Sequence, residues 1–313
     1  MLTVDLRDDI PPPAQGAVLA LGNFDGVHRG HQSLIARVQQ IAAPMGAPAG
    51  VMTFEPHPRQ FFRPDTPPFR LTPLADKARL FAACGLDVMV VQPFDEQLSN
   101  MLAADFVIDL LVDRLRVVHI VIGFDFCFGR GRGGDVPLLR HMAEIEGFGL
   151  TVVDPIGDND CSPGESYSSS GIRRALETGN IKSATAQLGR PWSITGTVMQ
   201  GDQRGRTIGF PTANVAMGDY LRPALGVYTI EAVLDDGRTV GGVANIGRRP
   251  TFGKEDVNLE AHLFDFAEDL YGRTIEVRLI GHVRAERKFA GLDELKAQIA
   301  ADSATARQML AGR

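Results

Sequence analysis

Over residues 17–187, short apolar runs rich in Val and Ile alternate with helical patterns. The runs Ala17–Leu21, Val51–Phe54, Val88–Val91, Val117–Ile122 and Leu150–Val153 have no polar face. Strands apolar on both sides belong inside a parallel sheet covered by helices. The helical stretches carry their own punctuation. Thr72 is placed to cap a helix with Pro73 at its first position and Gly85 past its end, Ser99 to cap the next, and Asp135 the one ending near Gly147. This alternation predicts a doubly wound α/β domain whose ligand crevice lies at the carboxyl ends of the strands.

After Leu188-Gly189-Arg190-Pro191-Trp192 the pattern changes. Ser193–Met199, Gly226–Leu234, Thr239–Ile246, Val257–Phe264 and Thr274–Ile280 are strand-like with no helix between them, and Asp236-Gly237 suits a hairpin turn. One amphipathic helix follows from about Leu292. Consecutive strands without helices imply an antiparallel barrel or sandwich, so the predicted division is 1–187 for the α/β domain and 188–313 for a β domain with a terminal helix. The proline-rich Pro56–Pro73 stretch reads as an ordered loop near the crevice.

Composition narrows the class. At 313 residues the chain is long enough for two cores, and a net charge of -6 without a basic tail or stripe argues against a nucleic-acid partner. Cys84, Cys127 and Cys161 are widely spaced and odd in number, which reads as reduced thiols in the cytoplasm. No signal peptide or membrane span is expected. Self-association is left open.

The candidate chemistry begins at Leu19-Ala20-Leu21-Gly22-Asn23-Phe24-Asp25-Gly26-Val27-His28-Arg29-Gly30-His31, a strand running into a glycine turn that delivers two histidines to a helix start. A helix N-terminus offers unpaired N–H groups to an anion, and two imidazoles three residues apart share a face. They are placed to stabilise charge on a phosphorus under attack. The competing readings are a helix cap and half of a metal site. Tyr167-Ser168-Ser169-Ser170-Gly171-Ile172-Arg173 opens another helix with hydroxyls and an arginine suited to phosphate oxygens, or simply with a cap. Thr53-Phe54-Glu55-Pro56-His57-Pro58 forms a strand end with a rigid turn, either a substrate lip or a proline-fixed loop. Gly123-Phe124-Asp125-Phe126-Cys127-Phe128-Gly129 offers rings and an acid to a nucleoside, or rings to the core.

In the second half, Gly205-Arg206-Thr207-Ile208-Gly209-Phe210-Pro211-Thr212-Ala213-Asn214 puts a hydroxyl and an amide oxygen two residues apart. In an extended segment both point the same way, toward one hard cation; taken without context, Pro211-Thr212-Ala213-Asn214 reads merely as a turn. Glu260 sits in an alternating strand pattern, as an edge residue facing water or as a general base.

These segments resemble the bacterial bifunctional riboflavin kinase/FAD synthetases over roughly residues 15 to 300, and His28-Arg29-Gly30-His31 is similar to the nucleotidyltransferase signature His-x-Gly-His. Asn245-Ile246-Gly247-Arg248-Arg249-Pro250-Thr251-Phe252 and Asn258-Leu259-Glu260-Ala261-His262-Leu263 look like two further family segments in their expected order. The resemblance implies an N-terminal Rossmann-like nucleotidyltransferase domain and a C-terminal riboflavin kinase barrel. It implies that His28 and His31 bind ATP phosphates and stabilise the transition state, with Asn23, Ser169 and Arg173 at the phosphates and Asp125 at the adenosine. Glu55, Pro56, His57 and Pro58 would border the flavin, Thr212 and Asn214 would hold Mg²⁺ with ATP, and Glu260 would be the base. Riboflavin, FMN, FAD and ATP are the implied ligands. One departure stands out: Gly171 occupies a position where many relatives carry an arginine. Two rivals remain at this level, an adenylyltransferase for another cofactor precursor with a non-catalytic barrel, and a non-enzymatic flavin-binding regulator.

Overall fold

A computed structural model of the chain describes residues 1–157, 166–200, 210–251 and 254–312. Cys161, Gly205–Gly209 and Phe252 lie outside the described residues. Two compact units emerge, one of residues 1–67 and 72–167, the other of residues 68–71 and 168–313. The boundary read from the sequence at 187/188 and the one between the units differ by the helices Ser169–Glu177 and Ile181–Leu188, which belong to the second unit.

The first unit is built on a sheet of β1 (Leu2–Asp5), β2 (Val18–Leu21), β3 (Ala49–Glu55), β4 (Val88–Pro93), β5 (His119–Gly123) and β6 (Gly149–Val153), ordered β1-β4-β3-β2-β5-β6. All five neighbour pairs are parallel. The reason is visible in β2: Val18 and Ala20 enter one apolar cluster, Leu19 and Leu21 the cluster on the opposite face. A strand buried on both sides needs helices above and below, which only crossover connections supply. The expected strands are all present; β1, an edge strand with only one buried position, adds a sixth. From β2 the chain builds outward through β3 and β4, then returns to β5 on the other side. The switch point therefore lies between the carboxyl ends of β2 and β5, where such sheets take their ligands.

Helix boundaries follow the punctuation in part. Asp135 caps Val136–Glu146, with its carboxylate accepting from the Leu138 N–H at 3.0 Å and Gly147 left-handed beyond the end. Ser99 does not cap: it lies inside Glu96–Asn100, whose cap is Asp95. Thr72 does not cap Leu74–Ala83 either, because its hydroxyl is taken by the glycine turn after β2.

The second unit contains a closed antiparallel barrel of β7 (Ser193–Met199), β8 (Ala213–Ala216), β9 (Gly226–Val233), β10 (Thr239–Thr251), β11 (Lys254–Leu263) and β12 (Thr274–Ala285), ordered β10-β11-β8-β7-β12-β9. Its interior is apolar, and the terminal helix Leu292–Ala311 covers Val227 and Val243 on the outside through Ala306. Trp192 is 1% exposed in this core, its indole N–H donating to the Leu71 carbonyl at 2.9 Å.

Candidate active sites

The Gly22–His31 segment leaves β2 at the switch point, and its backbone is unusual. Phe24 and Val27 have φ of 51° and 42°, in the left-handed region that side chains other than glycine avoid, and Gly26 between them has 97°. A β-branched residue there is strained by on the order of 1–3 kcal/mol and persists only where packing overrides it. That packing is present. Phe24 is buried edge-on against Phe81 and the His31 ring, and Val27 is buried too. Polar contacts hold the same turn: the Gly26 N–H donates to the Thr72 hydroxyl at 2.8 Å, and the Thr72 N–H to the Asp25 carboxylate at 3.0 Å.

His28 is the N-cap of the helix Arg29–Met45, its Nδ1 accepting from the His31 N–H at 3.4 Å. An accepting Nδ1 assigns the proton of the neutral ring to Nε2. The two imidazoles stack with centroids 3.6 Å apart, and Gly30 keeps the approach open, since a Cβ there would meet the His28 ring at 3.0 Å. Cap and histidine pair are thus one object. The Asn23 side-chain oxygen is buried with no hydrogen-bond partner among the described residues, the condition of a group that awaits a donor.

Glu55 ends β3 and joins Pro56 through a cis peptide; His57 caps the short helix Pro58–Phe62 with its Nδ1. Beside it Phe61, Phe62 and Phe94 form an aromatic cluster in which Phe62 is 64% exposed. Asp125 is exposed in the turn after β5, with its carboxylate over Gly123. Of the phenylalanines around it, Phe128 is core, Phe126 stacks on Phe128, and Phe124 is exposed.

Ser169 and Arg173 belong to the second unit, on the helix Ser169–Glu177. Ser168, not Ser169, is its cap. Arg173 is fixed twice by Phe69, donating Nε–H to its carbonyl at 2.9 Å and lying 5.4 Å from its ring centroid. At Gly171 a Cβ would meet the Gln187 amide oxygen at 2.8 Å, the far end of a flexible side chain that can turn aside.

On the barrel, alternation sorts the side chains. Ala213 and Val215, Leu259 and Ala261, Ala244 and Ile246 all point into the core. Asn214, Glu260 and Asn245 therefore share the outer face, and the register puts Asn214 and Asn245 directly across from Glu260 on its two sides. Asn214 is 6% exposed, and its side-chain oxygen accepts from the Asn258 amide at 3.1 Å, which orients it. The His262 Nδ1–H donates to the Pro211 carbonyl at 2.9 Å and so anchors the chain entering β8. Thr212 and Asn214 offer a hydroxyl and an amide oxygen, hard donors that fit Mg²⁺. Sequence reasoning missed Lys77 altogether, took Thr72 for a helix cap and named Asn245 and His262 only within family segments, since their partners are remote in sequence.

A parallel sheet with an anion-suited turn at its switch point, joined in one chain to a closed barrel bearing a carboxylate among amides, defines a class: a transferase that handles phosphates in two separate units. The FAD synthetase family model matches residues 10–167 and the riboflavin kinase family model residues 188–310. The bifunctional riboflavin kinase/FMN adenylyltransferase of Escherichia coli (strain K12) is 45% identical over 296 residues, 95% of this chain and 93% of that protein. The enzyme of the same description from Bacillus subtilis (strain 168) is 41% identical over 91% of this chain and 90% of its own. The crystal structure of a macrolide-efflux protein from Streptococcus pneumoniae is similar at a TM-score of 0.86 and 30% identity, covering 98% of this chain and 99% of that one. No helix among the described residues is long and apolar enough to cross a membrane. The chain belongs to the bifunctional riboflavin kinase/FMN adenylyltransferase family.

Proposed function

We propose that this chain makes FMN and then FAD in the cytoplasm, through the residues that follow. In the barrel, Glu260 takes the proton of the riboflavin 5′-hydroxyl, whose oxygen forms a bond to the γ-phosphorus of ATP as the bond to ADP breaks. Thr212 and Asn214 hold Mg²⁺, which neutralises phosphate charge when bound. In the first unit a phosphate oxygen of FMN attacks the α-phosphorus of a second ATP, and pyrophosphate leaves. No side-chain nucleophile is needed; position and electrostatics carry the step. His28 and His31 donate to the phosphates as charge builds, and Asn23 helps to place them. Asp125 contacts the adenosine, and Glu55, Pro56, His57 and Pro58 border the flavin. The exposed Phe62 beside the Glu55–Pro58 turn supports the flavin assignment.

The observation that carries the kinase reading is the register of Glu260 between Asn214 and Asn245. The test is to incubate the protein with riboflavin, ATP and Mg²⁺ and to separate the flavins by chromatography. FMN and FAD are expected. Glu260→Gln should lower FMN formation by about 10²–10⁴-fold yet still convert supplied FMN to FAD, whereas His28→Ala/His31→Ala should stop at FMN. Undiminished FMN formation by Glu260→Gln removes the base assignment.

A further inference from the structure

Lys77, in the helix Leu74–Ala83, is 1% exposed, a rare situation for a lysine. Its ammonium lies 2.8 Å from a Glu55 carboxylate oxygen and donates to the Thr53 hydroxyl at 3.0 Å and the Asn23 carbonyl at 3.3 Å. The Thr53 hydroxyl itself donates to that same carbonyl at 3.2 Å. Lys77 thereby ties the end of β3 to the first residues of the turn that leaves β2. A buried charge is costly unless paired and hydrogen-bonded, and an apolar residue would fill this place more cheaply. What the charge secures is a turn with two non-glycine residues at positive φ, a conformation that needs bonds from its surroundings.

We infer that Lys77 is a positioning residue for adenylyl transfer: its ammonium clamps the Asn23 carbonyl, the Thr53 hydroxyl and the Glu55 carboxylate together and so fixes the turn that presents Asn23 and His28. It also cancels the Glu55 charge, which otherwise stands at a strand end where the proposed substrates are anions. The inference rests on reading the Gly22–His31 turn as the phosphate site. A turn displaced by a fraction of an ångström still binds ATP but presents its donors badly to the developing charge, so the loss falls on kcat more than on KM.

The test uses the full-length protein and measures both activities in each variant. Lys77→Met, similar in length but uncharged, should lower kcat for FAD formation by about tenfold or more, with the KM for ATP changed less than about threefold and riboflavin phosphorylation within about twofold. Thr53→Val, nearly isosteric, should cause a smaller loss of about three- to tenfold, and the double variant should be no slower than Lys77→Met within about twofold, because both changes release the same carbonyl. FAD formation by Lys77→Met within about twofold of the unmodified protein overturns the inference, as do single losses that simply multiply. If Lys77→Met loses both activities together, Thr53→Val decides: undiminished FAD formation there overturns it. Undiminished FAD formation by His28→Ala/His31→Ala would instead remove the reading of the turn itself. An inactive histidine variant beside an active Lys77→Met removes only the role of Lys77.

Discussion

His28 closes the first turn of its helix with one ring nitrogen and leaves the other to carry the proton. Structure and proposed chemistry can be separated at this position because asparagine is as good an N-cap as any residue. His28→Asn should leave the thermal midpoint within about 2 °C of the unmodified protein, since the helix keeps its cap. It should nevertheless lower FAD formation by about 10²–10³-fold, the usual effect of removing one donor to a developing charge. Equal activity would reduce His28 to its capping role. Much of this site was legible in the chain, because a strand, glycines and histidines in immediate succession need only local geometry. Lys77 was not legible: within its helical stretch it is one more charged residue, and only the fold buries it against Asn23, 54 positions away.

Among the elements, the barrel strands show where periodicity suffices and where it fails. Five of the six were readable from alternation, but β8 was not, since Ala213–Ala216 is four residues long and follows a proline that reads as a turn. Its partners on β7 and β11 make it a strand. The β9–β12 pair sets two titratable rings in register, the buried Tyr228 and the half-buried His282, packed edge to face with centroids 4.9 Å apart. Burial holds the His282 pKa below its ordinary value of 6.5, and burial pushes the Tyr228 phenol above its ordinary 10.0. A lowered histidine pKa means that the unfolded chain binds the proton first, so this contribution is present above about pH 6.5 and is lost as pH falls. A raised phenol pKa means that its contribution is present below about pH 10 and is lost as pH rises. Urea midpoints should therefore be highest between these values, and His282→Asn should flatten the acid limb. An acid limb of unchanged slope in that variant would show that other groups produce it.

At the scale of the molecule, the chain forms two compact units whose cores are separate apolar clusters, and its single tryptophan lies in the second. Trp192 fluorescence is thus a reporter of the barrel unit. Leu259→Ala and Met52→Ala each empty a fully buried position, one in each unit, at a cost of about 2–5 kcal/mol. The first should lower the urea midpoint seen by Trp192 fluorescence. The second should leave that midpoint in place and move only the backbone signal in circular dichroism. If both variants shift both signals alike, the units unfold as one block and the expectation is wrong.

All the strands but β1 and β8, the change of architecture near residue 188, and the family to which the chain belongs were determined by sequence alone. Each rests on patterns that local periodicity or contiguous motifs express. What tertiary structure decided was which remote residues meet. The sheet order placed the turns after β2 and β5 at one switch point, the barrel register set Asn214 and Asn245 beside Glu260, and closure of the first unit buried Lys77 under the turn. The physical reason is that pairing and burial depend on contacts across tens of residues, and no local pattern encodes which partner a polar side chain will find.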